Sequence, residues 1–378
     1  MTPRRLKLVA RVLVLAGAAA IAAGMVHQPD RTWAGILMAS YGLLTAGLGG
    51  LFFVALTYAC GATWAVAFRR IPEAFAAAIP AGAAGLAMVF LVAPSIYPWM
   101  AAADHLDGFK GVWLGRAFFL ARAALYVLLW VVFAALILRT SRAQDRSGAP
   151  HLTRRNVRLS IALIIVFALT FWLASFDWIM SLEPHWYSTI FGVYHFAGLF
   201  TSALALIILI ALGMRSRGQL ADFITDSHVH DLGKLLFAFC TFWMYIWFSQ
   251  YMLMWYANIP EESAYYVRRR EDAWLTLFYL NVALNWVVPF LALLSRPAKR
   301  GRVLACVAVT VLVGRWVDLY LMVWPAVVPG GPQLGLCEIG PTLAAAGLFV
   351  LVFSRAFEAV SPVPLREPAL AASLHYQS

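Results

Sequence analysis

Charged residues are scarce in this sequence. Of its 378 residues, 12% are charged and 62% are hydrophobic, whereas soluble domains carry roughly 25% charged residues. A water-soluble fold has no means of covering so much apolar surface, so the composition excludes a soluble domain. Acidic residues are the rarer kind, with 18 Asp and Glu against 29 Lys and Arg. The basic residues lie in short segments between apolar runs, which is typical of membrane orientation signals and excludes a nucleic-acid-binding surface.

Motifs that hold metals or haem are also lacking. The four cysteines are far apart and form neither C-x-x-C nor C-x-x-C-H, the spacings that iron–sulfur clusters and c-type haem require. A b-type haem would need two histidines on facing helices, and His195 is the only histidine within an apolar run. We therefore expect no metal and no covalently bound cofactor, and we interpret Cys60, Cys240, Cys306 and Cys337 as packing residues.

Long apolar runs dominate what is present. Crossing the hydrocarbon core of a membrane takes roughly 20 apolar residues. The sequence therefore predicts an all-α, polytopic transmembrane helix bundle of about ten spans, which forms one integral membrane domain over residues 1–378. The spans are predicted near 8–26, 33–58, 74–93, 113–138, 157–176, 190–212, 232–257, 273–294, 303–325 and 339–357. The first run could instead be a cleaved signal peptide, although its length and the charge pattern favour retention.

Basic residues predict the orientation of the spans. With the amino terminus inside, the inner connections and tails carry 21 of the 29 Lys and Arg residues and the outer connections carry five. Under the positive-inside rule both termini are then cytoplasmic, and we expect a multi-pass protein of a bacterial inner membrane. The exception is Arg268–Arg270 on an outer connection, where acidic neighbours offset the charge. That segment is either a docking surface or a solvated loop, and its acidic residues are Glu261, Glu262, Glu271 and Asp272.

Ionisable residues within or against hydrocarbon are candidates for function, because each costs free energy unless it meets a partner or water. An outer group comprises Asp177, Glu183 and His185 at the end of the fifth span, with His195 five residues into the sixth. Carboxylates and imidazoles partly withdrawn from water can titrate near neutral pH. We predict proton-relay roles for these four; the alternative is an aromatic belt with a polar turn.

Two further sets of polar residues lie in the seventh and ninth spans. Arg315 and Asp318 are three residues apart in the ninth span and can pair near mid-depth, where an ion pair that only holds helices together is the simpler interpretation. An inner group begins with His230 and Asp231. One helical face of the seventh span then continues as a polar stripe that suits either a proton relay or interhelical hydrogen bonds, through Asp231, Lys234, Thr241, Tyr245, Ser249 and Tyr256.

Two long motifs carry a family resemblance. The first is SFDWIMSLEPHWYSTIFGVY at 175–194, and the second is HDLGKLLFAF at 230–239, continued by FSQY at 248–251 and WYANIPEE at 255–262. Together they resemble the F subunit of bacterial alternative complex III, a quinol:electron acceptor oxidoreductase, within the polysulfide-reductase membrane-subunit (NrfD-like) family. The resemblance extends from about Gln28 to Leu365, nearly the whole chain.

The resemblance implies a ten-span subunit within a larger assembly. The expected partners are a paralogous membrane C subunit, an iron–sulfur subunit and c-type cytochrome subunits, which hold the iron–sulfur clusters and c-type haems. The expected function is that of a non-haem subunit of a respiratory or photosynthetic electron transport chain, supporting quinol oxidation and proton translocation. A quinone or quinol is the non-covalent ligand to be expected in the complex; the clearer site in this family is attributed to the C paralogue.

Two alternatives to this function stay open from the sequence. A paralogue without a working pocket would be a purely structural anchor for the redox subunits. Charged residues at mid-depth also mark substrate paths in transporters, so a proton-coupled secondary transporter is the third reading. Whether the chain takes part in catalysis at all is therefore undecided at this stage, and no catalytic residue is assigned.

Overall fold

The computed structural model describes residues 3–100, 106–328 and 330–377, apart from the side chains of Pro3 and Asp272. This described part is helical and contains no strand, and ten of its helices are long and apolar enough to cross a membrane. They are α1 (Arg4–His27), α2 (Pro29–Ala59), α3 (Arg70–Val92), α4 (Arg116–Ser147), α5 (Pro150–Leu182), α6 (Phe191–Ser216), α7 (Asp226–Ala257), α8 (Ala273–Ala292), α9 (Gly301–Val327) and α10 (Leu336–Glu358). The protein is an all-α multi-pass membrane bundle, and ten crossings leave both ends on the same side.

Shorter helices lie in the connections between these spans. They include Thr63–Phe68, Pro94–Ile96, Gly108–Trp113, Pro260–Arg270, Pro297–Lys299 and, near the carboxyl terminus, Leu370–Leu374. Pro260–Arg270 lies between α7 and α8, on the predicted outer side. Leu370–Leu374 packs against Thr63–Phe68 on the opposite, predicted inner side.

Helices α4, α5 and α7 extend beyond the limits that hydropathy predicts. The predicted inner loop between the fourth and fifth spans is a tight turn, because α4 continues to Ser147 and α5 begins at Pro150. Gly148 makes this turn with φ of +67°, a conformation that glycine adopts without steric cost. Likewise α7 begins at Asp226, so His230 and Asp231 lie inside the helix rather than ahead of it. Charged residues near a helix end lower the local hydropathy, so hydropathy predicts a helix that is shorter than the real one.

Helices α2, α6 and α9 form the centre of the bundle. In the most apolar 18-residue window of each span, the buried share is 78% for α2, 67% for α6 and 67% for α9. The same share is 17% for α1 and 22% for α8. Helix α2 contacts α3, α5, α6, α9 and α10, whereas α1 packs mainly on α10. The side chains of the central helices therefore meet protein on nearly all sides.

A glycine sets the closest approach between α2 and α3. A Cβ atom added at Gly82 would lie 2.5 Å from the backbone nitrogen of Leu44, which is far inside van der Waals contact. Small residues at such crossings let helix backbones approach closely. Close packing matters here because, within lipid, the hydrophobic effect does not drive helices together and van der Waals contacts must stabilise the bundle.

We predict that Gly82→Ala destabilises the bundle by about 1–3 kcal/mol, because the added methyl group overpacks the crossing. Gly213→Ala is the matched control, since no atom lies within 4 Å of a Cβ atom at Gly213. Thermal unfolding in detergent is the measurement. Equal melting temperatures for the two variants would contradict the proposed contact.

The orientation is testable by labelling. With the natural cysteines replaced by alanine, we expect Tyr187→Cys to react with a membrane-impermeant maleimide in intact cells and Gln219→Cys to react only after lysis. Both positions are exposed in the structure, and they lie at opposite ends of α6. The reverse labelling pattern would show that the positive-inside assignment is inverted.

Candidate functional site

An ion pair lies buried in the middle of α9. Asp318 is fully buried, and Arg315 is 5% exposed. Arg315 donates from Nη1 to Asp318 Oδ2 at 2.5 Å. The other carboxylate oxygen, Oδ1, accepts hydrogen bonds from the Tyr194 hydroxyl of α6 and from Asn281 Nδ2 of α8 at 3.1 Å. Side chains of α6 and α8 therefore contact an ion pair that belongs to α9.

Helix α8 meets this pair through an irregular turn. Residues Ala283–Val287 form a π-helical turn, a feature that often occurs at functional sites. Within it Asn285 donates to Asn281 Oδ1 at 2.7 Å, which links Asn285 through Asn281 to Asp318. Both amides were missed by the sequence analysis, although two asparagines four residues apart in an apolar span were the available signal.

His195 lies on the α6 side of the same region. It is fully buried, and its Nδ1 shares a hydrogen bond of 2.7 Å with the Tyr41 hydroxyl of α2. Its Nε2 has no hydrogen-bond partner among the described residues. One turn along α6, Gly198 makes room for a guanidinium, because a Cβ there would lie 2.3 Å from Arg315 Nη1. His195 therefore lies next to the ion pair.

These contacts define one buried group at mid-depth, contributed by α2, α6, α8 and α9. We call it the central cluster, and it comprises Tyr41, Tyr194, His195, Asn281, Asn285, Arg315 and Asp318. It brings together three residues from the sequence analysis, His195, Arg315 and Asp318. Tyr41 and Tyr194 add hydroxyl groups that sequence patterns did not single out, because tyrosine is common in apolar spans.

Asp177 is held in a separate ion pair near the predicted outer surface. It is 1% exposed, and Arg122 donates to it from Nε at 3.1 Å and from Nη2 at 2.9 Å. Trp113 Nε1 donates at 2.8 Å and the Tyr126 hydroxyl at 3.2 Å. The Arg122 guanidinium also stacks over the Trp113 ring. Four donated hydrogen bonds occupy both carboxylate oxygens and hold Asp177 in place.

Glu183 pairs with the short outer helix. Arg269 Nη2 lies 2.7 Å from Glu183 Oε1, and Arg268 lies 3.4 Å from Oε2. Arg269 is 3% exposed, so the middle residue of Arg268–Arg270 belongs neither to a docking surface nor to a solvated loop. Arg269 also donates to the carbonyl oxygens of Leu321 and Met322, one turn beyond Asp318 on α9.

Tyr265 lies next to this outer pair. It lies under the Arg269 guanidinium and stacks on Trp186. Burial raises the pKa of Tyr265, and the negative charges of Glu183 and Asp318 raise it further. The phenol therefore stays protonated and can donate and accept hydrogen bonds. His185, by contrast, is exposed on the outer connection.

His230, Asp231 and Lys234 lie at the inner end of α7. Asp231 pairs with Lys234, and it accepts a hydrogen bond from the Tyr376 hydroxyl at 2.5 Å. That hydrogen bond is the main cause of a raised pKa for Tyr376, so the hydroxyl remains a donor. His230 is buried, and its Nδ1 has no partner among the described residues. The carboxyl-terminal segment thus covers this inner group.

The polar stripe of α7 points away from the interior of this chain. Tyr245 is 64% exposed and Tyr256 is 83% exposed, whereas Trp243 on the other face is buried. Thr241 donates to the Phe237 carbonyl of its own helix, and Ser249 is partly exposed. The prediction that these residues share one face of α7 is correct, but that face lies on the outside of the bundle.

A further charged group, which sequence reasoning missed, lies at the inner end of α3. Arg70 contacts Glu73 and Asp145, and Arg69 lies 2.7 Å from Glu367. All but Asp145 are buried. The available signal was the spacing of Arg69 and Arg70 from Glu73, which places them on one helical face. We interpret the group as the anchor of the carboxyl-terminal segment, because Glu367 belongs to that segment.

No model of a known protein family matches the chain, and no curated protein matches it. In the described residues, no group of three or more His, Cys, Asp or Glu side chains is arranged to hold a metal ion. The expectation that the chain carries no metal stays a prediction.

We predict that Asp177→Asn lowers the free energy of unfolding by about 3–5 kcal/mol, because it leaves Arg122 buried and unpaired. The double substitution Asp177→Leu with Arg122→Met removes both charges and is expected to recover most of the loss. Thermal unfolding in detergent separates the two variants. A double variant as unstable as the single one would show that the charge pair is not the cause.

Proposed function

We propose that this integral membrane protein is a non-haem subunit of a quinol:electron acceptor oxidoreductase, in which it conducts protons during quinol oxidation. The two long motifs that resemble the F subunit of alternative complex III support the type of complex. The buried carboxylate of Asp318, held at mid-depth with hydroxyl, amide and imidazole groups, supports the proton role. That carboxylate is the observation on which the proposal depends.

The location of Asp318 argues for function over packing. An ionisable group within hydrocarbon costs several kcal/mol unless it is paired, and such groups mark ion and proton paths. Replacing a buried ion pair with apolar side chains of similar volume is often neutral or stabilising. Stability alone therefore gives little reason to keep Arg315 and Asp318 in α9, whereas a proton path requires an acid at that depth.

The outer half of the path follows from the contacts. Asp318 accepts a hydrogen bond from Tyr194, and Arg269 reaches the α9 backbone one turn beyond Asp318 while it pairs with Glu183. The charges of both carboxylates, Asp318 and Glu183, act on Tyr265. Oxidation of a quinol releases two electrons and two protons. In this proposal the electrons pass to haems and iron–sulfur clusters of partner subunits, and Asp318, Tyr265 and Glu183 carry protons towards the outer surface.

The inner half involves a partner. His230, Asp231 and Lys234 are the proposed inner entrance, and the exposed stripe through Thr241, Tyr245 and Ser249 continues from them along α7. A polar face in lipid is costly, and hydrogen bonds across a helix interface satisfy such groups. We propose that the paralogous membrane subunit covers this face in the assembled complex of a bacterial inner membrane.

A second candidate function is a structural anchor. Asp177 has four donated hydrogen bonds and Glu183 pairs with Arg269 and Arg268, so both acids are placed as a pure scaffold would place them. Under this alternative Asp318 would also be structural, and its substitution would change assembly without changing proton movement.

The deciding experiment is Asp318→Asn in the complex purified from its native membrane and reconstituted in vesicles. We expect fewer protons to be translocated per electron, because an amide of nearly the same shape cannot carry a proton. Glu338→Gln is the matched control, since Glu338 is a buried acid paired with Arg31 outside the central cluster. Companion proteins are identified in the same preparation, where the proposal expects a multihaem cytochrome and an iron–sulfur protein.

Two results would contradict the proposal. An unchanged proton-to-electron ratio with intact turnover in Asp318→Asn would exclude the proton role of Asp318 and favour the structural anchor. Purification without any redox-active companion would remove the oxidoreductase assignment altogether.

A further inference from the structure

A large apolar cleft opens between two groups of spans. Helix α9 packs on α6, while α10 packs on α1 and α2; Trp316 and Thr342 join α9 to α10 through a hydrogen bond of 2.9 Å. Between the groups is a partly open cavity of about 510 Å³, within the ~300–1,000 Å³ range of small-molecule sites. Its walls include Gly42, Ala46, Leu206, Leu312, Ala345 and Phe349.

The deep part of this cleft suits a hydrocarbon chain. Its hydroxyl groups are bound to the backbone of their own helices: Thr45 donates to the Gly42 carbonyl, Ser202 to Gly198 and Thr342 to Glu338. Arg315 reaches the wall, but Asp318 neutralises its charge. The cleft therefore offers apolar contact along its length and no uncompensated charge in its depth.

The mouth of the cleft is basic. Leu6 of α1 and Arg217 after α6 line it, at the end of the bundle where the positive-inside rule places the inner leaflet. Arg217 is exposed, and its guanidinium forms no hydrogen bond or ion pair with the described residues. Arg4 and Arg5 directly precede Leu6 in the chain. Positive charge at the mouth and apolar walls behind it complement a molecule with an anionic head and a hydrocarbon tail.

We propose that this cleft binds an anionic phospholipid of the inner leaflet, with an acyl chain between α2, α6, α9 and α10 and its phosphate on Arg217. Basic pockets between transmembrane helices on the cytoplasmic side recognise anionic lipid headgroups in this way. A quinone fits less well, because the unpartnered donors at the wall, Arg315 Nε and Nη2, are buried away from the cleft surface. This proposal stands independently of the quinol and proton proposal above.

The test quantifies phospholipid that copurifies with the chain from its native membrane in mild detergent. We expect wild-type protein to retain an anionic phospholipid and Gly42→Leu and Ala345→Leu to lose it, because leucine fills the cleft. A Cβ at Gly42 meets only Leu319 Cδ1 at 3.8 Å, so the larger side chain extends into open space. Ala124→Leu, at an exposed position of α4, is the control for an added apolar side chain.

Charge recognition is tested with delipidated protein. We expect phosphatidylglycerol to bind more tightly than phosphatidylcholine with the same acyl chains, and Arg217→Gln to weaken phosphatidylglycerol binding about fivefold. Arg158→Gln removes an exposed arginine away from the cleft and is expected to leave binding unchanged.

Three outcomes would overturn the proposal. They are retention of lipid that is insensitive to Gly42→Leu and Ala345→Leu, equal affinity for the two phospholipids, and recovery of a quinone in place of phospholipid. All variants are first compared with wild type by thermal unfolding and gel filtration. A cleft-filling variant that does not fold is replaced by Ala46→Leu, which adds bulk at another point of the same wall.

Discussion

Charges buried among apolar helices need partners from other helices, and this requirement governs how the bundle is arranged. Hydrocarbon supplies no hydrogen bonds, so each buried charge that is left unpaired costs several kcal/mol. Arg122 of α4 meets Asp177 of α5, and Arg31 of α2 meets Glu338 of α10. Asp318 of α9 meets Tyr194 of α6 and Asn281 of α8. These polar contacts specify which helices are neighbours, whereas apolar packing alone would permit several arrangements.

Two buried acids of the membrane region, Asp177 and Asp318, differ in what surrounds them. Asp177 is saturated by donors from Arg122, Trp113 and Tyr126, which suits a fixed charge. Asp318 shares its site with a phenol and lies near His195, whose Nε2 has no partner among the described residues. Groups that can hold or release a proton are therefore concentrated in the central cluster. This contrast is the physical basis for assigning structure to the first acid and proton movement to the second.

Sequence patterns identified individual residues better than their surroundings. The spacing of Arg315 and Asp318 indicates a shared helical face, but nothing local indicates that Tyr41, Tyr194 and Asn281 complete their site. The amides of Asn281 and Asn285 went unnoticed because they carry no charge, and the cost of burying an ion marks only ionisable residues as candidates. The wheel of α7 correctly grouped Tyr245 with Ser249, yet a wheel gives relative angles only. Which face meets the interior depends on the neighbouring helices.

The sequence by itself determined the ten-span organisation, because the thickness of hydrocarbon and the run of apolar residues are both local quantities. It also determined that acids within those spans must have partners, since the cost of an unpaired charge holds wherever the helix lies. Only the tertiary structure decided who the partners are, that the α7 stripe faces outward, and that a cleft separates α9 and α6 from α10. These features arise from contacts between residues that are distant in sequence, such as Tyr41 with His195, 154 positions apart, and no local pattern encodes them.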